Sequence, residues 1–156
     1  MAAVVNIINK TTKKDEKWAI DKNGLWLMQI PDQGTKGSEN VPESVYADMD
    51  KVFTISDVPI GPAPVAGTEC TDLPVLTALK VVSGLSTELK DKVVEVKAGD
   101  SHNTTLILDN GVEIAFGDAS DIRTKERVCL KLMEEYPYAI AYINVRVVDR
   151  PTWRSY

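Results

Sequence analysis

The sequence predicts an α+β domain with a mainly antiparallel sheet and helices packed on one face. Three observations carry that reading. Two Asn-Gly pairs, Asn23-Gly24 and Asn110-Gly111, each stand between apolar runs, the strongest short-range signal for a β-hairpin. Two stretches, Leu73 to Val82 and Ile122 to Tyr136, place apolar residues at helical spacing. A β-branched run, Ala139 to Val148, follows the second of them. Strands, helix, strand, hairpin, helix and strand in that order favour segregated helices over a βα repeat.

The elements follow in chain order. Val4, Val5, Ile7 and Ile8 form a strand-like opening run that reads as cut from something longer. Lys17–Ile20 and Gly24–Ile30 flank the turn Asp21-Lys22-Asn23-Gly24, read as type I′. Pro31 to Pro42 has no apolar periodicity and reads as an exposed connection, with a short helix near Ser44 to Met49 and a strand at Val52–Ile55. Pro59, Gly61, Pro62, Pro64 and Gly67 exclude a helix or a central strand, leaving a loop or an edge. Thr71 or Asp72 can cap the helix that tolerates Pro74 in its first turn and stops at Gly84. A helical turn at Ser86–Asp91 leads to a strand at Val93–Val96. In the hairpin of Thr104–Leu108 and Val112–Phe116, Leu106, Leu108, Val112, Ile114 and Phe116 mark one buried face. The next helix is capped within Asp118 to Asp121 and ended by Pro137. It sets Ile122, Cys129, Met133 and Tyr136 on its buried face and Arg123, Lys125, Glu126, Arg127, Lys131 and Glu134 on the others. Ala139 to Val148 then reads as one long C-terminal strand.

Composition narrows the function. A chain of 156 residues can bury a core of its own, and 44% hydrophobic with 26% charged residues describes a folded domain rather than a disordered one. Eighteen Lys and Arg against 23 Asp and Glu leave a net charge of −5, which offers no drive toward nucleic acid. No run is long and apolar enough to span a bilayer, and the start lacks a signal-peptide pattern. Cys70 and Cys129 lie in no zinc-type spacing; they either pair or sit as buried thiols. Ser101, His102 and Asp100 are adjacent, whereas a catalytic triad converges from separate segments, so they read as a turn. No phosphate loop, dinucleotide fingerprint or zinc motif occurs, and no catalytic residue, cofactor or metal ligand is expected. Binding has better candidates: Trp153, with Arg150 and Arg154, in the terminal segment, and the edge of a long last strand. Trp153 either docks a partner or folds back over the core.

The run Leu106 to Gly117, the Lys125-containing helix with Leu130 and Leu132, and Ala141-Tyr142-Ile143-Asn144-Val145-Arg146 together resemble the C-terminal half of the FtsQ/DivIB bacterial cell-division proteins. Trp18 to Gly24 is similar to the hairpin that follows that family's POTRA module, and Leu73-Pro74-Val75-Leu76 opens the corresponding helix. The resemblance implies a single-pass membrane protein of the divisome, needed for septum formation. Residues 1–10 would be the end of a truncated POTRA module or the strand leading into the β domain, 11–150 the FtsQ-type β domain and 151–156 a C-terminal tail. It implies an extracytoplasmic, non-catalytic domain that binds small FtsB/DivIC-like and FtsL-like proteins by strand addition. By position, Val145, Arg146, Val147, Val148 and Asp149 would dock, with Trp153 just beyond and Pro151 ending the pairing. A POTRA-like transport or adhesion module, or a secreted or cell-wall-associated hydrolase or inhibitor with a pocket gathering His102 or several carboxylates, are the alternatives.

Overall fold

One nine-stranded sheet organises the chain in the computed structural model, which describes residues 1–58 and 63–155. The strands are β1 (Ala3–Ile8), β2 (Asp15–Ile20), β3 (Trp26–Gln29), β4 (Phe53–Ser56), β5 (Val93–Lys97), β6 (Thr104–Leu108), β7 (Glu113–Gly117), β8 (Ile140–Asn144) and β9 (Thr152–Ser155). The helices are α1 (Glu43–Met49), α2 (Leu73–Gly84), α3 (Thr87–Lys90) and α4 (Ile122–Glu135). Across the sheet the order is β3-β2-β1-β4-β5-β6-β7-β8-β9. The hairpin-linked neighbours are antiparallel, but β1–β4, β4–β5 and β7–β8 are parallel, so the sheet is mixed within an α+β fold. Parallel pairs need crossovers. Here β2, β3 and α1 supply the first, α2 and α3 the second, and α4 the third.

Both Asn-Gly hairpins form, with a different turn from the one expected. Only the glycine of each pair has positive φ, 88° at Gly24 and 87° at Gly111, so neither turn is type I′. Asp21 makes the first turn self-sufficient, its Oδ1 accepting from Asn23 N at 2.9 Å and Leu25 N at 2.8 Å. Asn110 Oδ1 does the same for Val112 N at 3.1 Å. Carboxylate and amide acceptors three residues and one residue ahead of glycine favour a right-handed turn closed by a left-handed residue.

The core lies on one face of the sheet. Ala3, Val5, Ile7, Ile55, Val96, Leu106, Ile114, Phe116 and Ile143 from the strands meet Val75, Leu79 and Val82 of α2, Leu89 of α3 and Cys129 of α4. Asp72 caps α2 by accepting from Val75 N at 3.2 Å. A Cβ on Gly84 would stand 2.8 Å from Ile122 Cδ1, so the absence of a side chain there lets α2 and α4 touch. The expectation that all helices share this face is corrected by α1, which covers Val4, Ala19 and Ile30 on the opposite face with Val45, Tyr46 and Met49. The cross-strand register Met28, Ala19, Val4, Thr54, Glu95, Ile107, Glu113, Tyr142, Arg154 records the change in one row. It is apolar under α1 and largely polar beyond it.

Two further differences concern α4. Lys125 and Glu126, expected on solvent faces, are buried, Lys125 to 1% exposure. Each has a partner: Lys125 Nζ donates to Asp118 O at 3.2 Å and Asp118 Oδ1 at 3.1 Å, and Glu126 Oε2 accepts from Ser86 N at 2.7 Å. Periodicity alone could not see those partners, which lie outside the helix. Of the expected proline-rich loop, Pro59, Gly61 and Pro62 lie outside the described residues; Gly67 to Cys70 lies along β3.

Candidate functional site

The last 17 residues contain the main correction to the sequence reading. The expected single strand over 139–148 ends at Asn144 as β8, residues 146–150 turn, and the chain returns antiparallel as β9, the segment expected to be a tail. Asn144 starts the turn, its Oδ1 accepting from Arg146 N at 3.1 Å and Arg146 Nε at 3.3 Å, and Arg150 N closes it on Val147 O at 3.0 Å. Gly117 gives the turn room: a Cβ there would lie 3.1 Å from Arg146 Cγ and 3.3 Å from Arg146 Cα. The β-branched composition of 145–148 favours a strand, and this side-chain competition overrides it. Pro151 therefore does not end the pairing; it immediately precedes β9, where a missing N–H is tolerated.

The proposed docking residues separate accordingly. Val145 is buried and donates its N–H to Ala115 O at 3.0 Å, so it anchors the turn. Arg146, Val147 and Asp149 are exposed and Val148 is half-buried on the turn itself. Trp153 sits in β9 opposite Ile143, 37% exposed, and stacks on Tyr136 with ring centroids 4.7 Å apart and 29° between planes. Arg154 lies over the Tyr142 ring at 4.2 Å from its centroid. Tyr136 and Tyr142 are the residues that sequence reasoning missed at this edge. The signal for β9 itself was the short run 152–155, too short to outweigh the preceding proline.

β9 is the outermost strand, all four of its residues are exposed, and among the described residues no further strand pairs with it. A shallow groove of about 400 Å³ runs from its start between His102, Asn103, Arg146, Val147 and Arg150. Arg146 Nη1 donates to Asn103 Oδ1 at 3.2 Å across that groove. On the helix side, a second groove of about 420 Å³ lies between Met133, Tyr136, Pro137, Tyr138 and Ile140, with Tyr138 99% exposed.

Asp100, Ser101 and His102 form the turn their adjacency indicates: Asp100 Oδ1 accepts from the backbone of His102 at 2.8 Å, which holds that carboxyl below its usual pKa. Cys70 and Cys129 are free and buried, which resolves the pairing question. Burial pushes the Cys129 thiol up to about 12 and raises that of Cys70. Among the described residues, no three His, Cys, Asp or Glu side chains gather as a metal cage.

The sequence matches the family described as cell division protein FtsQ/DivIB, C-terminal, over residues 12–149, nearly the whole chain. The chain belongs to the FtsQ/DivIB family. A search of curated proteins finds no match. Membership assigns this FtsQ/DivIB domain to cell division and septation, in a family of non-enzymatic, membrane-anchored scaffolds that work with other division proteins. No helix among the described residues is long and apolar enough to cross a membrane.

Proposed function

We propose that this domain is a non-catalytic, extracytoplasmic scaffold that docks small FtsB/DivIC-like and FtsL-like division proteins by strand addition at its C-terminal edge. The observation that carries the reading is β9, outermost in the sheet and exposed along its length. An outer strand keeps a row of backbone N–H and C=O groups free, and an added strand satisfies them whatever its side chains. Trp153 on Tyr136 and Arg154 on Tyr142 flank that row with aromatic and cationic surface, residue types that concentrate binding energy. The docking role passes from Arg146–Asp149 to β9, with Arg146, Val147, Val148 and Asp149 as a flanking turn and Val145 as its buried anchor. Residues 1–10 fit the strand leading into the β domain, since β1 pairs with both β2 and β4.

Titration with a peptide from the C-terminal region of the same organism's FtsB/DivIC-like protein tests this. Amide shifts are expected to centre on Thr152 to Ser155, and Trp153→Ala should weaken binding at least tenfold. Shifts confined to other elements, or undiminished affinity in Trp153→Ala, would overturn the assignment.

A further inference from the structure

The two edges of the sheet are treated differently. β9 is open, whereas the first part of β3 is covered by the strap Gly67–Cys70. Gly67 N donates to Trp26 O at 2.8 Å, Trp26 N to Thr68 O at 2.9 Å and Cys70 N to Gly24 O at 2.7 Å, with Leu25 and Glu69 bridged antiparallel. These bonds occupy backbone groups that an added strand would need. The strap is fixed at both ends. Before it, Thr68 N and Oγ1 both donate to Val65 O, at 3.1 and 2.6 Å; after it, Cys70 is buried in the core and Asp72 caps α2. Gly67 has φ of 84°, a conformation that suits glycine and lets its N–H reach Trp26.

We propose that Gly67–Cys70 is an edge guard that shuts a second strand-accepting edge, and that the occupant admitted when the guard lifts is a second copy of this chain, through its β9. Strand direction supports that occupant. Following the pairings across the sheet, β3 and β9 run in opposite directions. A copy placed beside the first in the same orientation therefore sets its β9 antiparallel to β3 and continues the sheet. Such a contact is head-to-tail and does not close, so it grows. Leu27, 37% exposed on β3 beyond the strap, would lie in the joint. The guard thus blocks this edge from Gly24 to Trp26, where β3 begins, and the inference depends on the geometry of β9 rather than on the identity of its partner.

Gly67→Pro removes the N–H bonded to Trp26 and forbids the positive φ. The expected results are rapid hydrogen exchange at the Trp26 amide and a mean mass by sedimentation that climbs with concentration past the dimer, unlike the unaltered chain. Adding Leu27→Lys, a charge on the edge, should reverse the growth. Gly67→Ala, which keeps the N–H, provides the milder variant should the proline prevent folding: about tenfold faster Trp26 exchange, with weaker growth in the same direction. A Trp26 amide that stays protected, a freely exchanging one without growth, a discrete dimer, or growth that Leu27→Lys leaves intact would each overturn the proposal.

Discussion

Thr104 carries a hydroxyl at 0% exposure with no hydrogen-bond partner among the described residues. Folding strips water from that group and returns nothing, so an isosteric apolar side chain should do better. Thr104→Val is expected to stabilise the domain by about 1 kcal/mol, raising the thermal midpoint by about 2–4 °C; an unchanged or lower midpoint refutes the account. Asp118 shows the opposite situation, a carboxylate with partners. Its hydrogen bonds from Ser120 and then Lys125 hold its pKa below the usual carboxylate value of 3.8. A carboxyl whose folded pKa is depressed adds stability that is complete above its unfolded pKa and is lost as pH falls through the folded one. Asp118→Asn should therefore flatten the loss of stability below about pH 4 in denaturant titrations, while leaving its slope near neutrality unchanged. Neither residue was legible from sequence: Thr104 reads as an ordinary strand threonine, and Asp118 as one of several residues able to cap α4.

At the scale of elements, α4 is held from both sides by its buried charges. Lys125 ties it to the loop after β7, and Glu126 accepts from the backbone N–H of Ser86, the residue that opens α3. Glu126→Ala leaves the Ser86 N–H without its partner and is expected to cost about 2–3 kcal/mol in unfolding free energy. Glu126→Gln keeps an acceptor oxygen and should cost less; equal losses in the two variants would show that packing, not the hydrogen bond, matters there. The elements read most clearly from sequence were those whose signals are local. The Gly111 hairpin, the Asp72 cap with Pro74 and the stop after Gly84 all lie within a few residues of what they control. Two features escaped for the same physical reason, the face that α1 covers and the break after β8. α1 reaches the opposite face because Val4, Ala19 and Ile30 form a second apolar surface there, a coincidence of three separate segments. The break after β8 depends on Asn144 and on the close approach of Gly117, a residue far away in the chain.

For the whole molecule, the core should stand without its last strand. The side chains that α2, α3 and α4 cover come from β1 to β8, and no β9 residue joins that cluster. Ile140, Ile143 and Val145 belong to the same buried cluster as Cys129 of α4, with Ile143 opposite Ile114 of β7 and Val145 N bonded to Ala115 O. What β9 adds is its ladder with β8 and the stack of Trp153 on Tyr136. A chain ending at Arg150 is therefore expected to fold, with unfolding free energy lower by about 1–3 kcal/mol from the lost aromatic pair and its buried area. Amide protection across β4 to β7 should persist. Docking should not, because the exposed edge would now be β8, which runs opposite to β9 and would offer an incoming strand the reverse direction. Hydrogen exchange and the peptide titration on this one variant separate the outcomes. A folded core that no longer binds places recognition in β9, and global loss of protection would show that the sheet needs its last strand to fold at all.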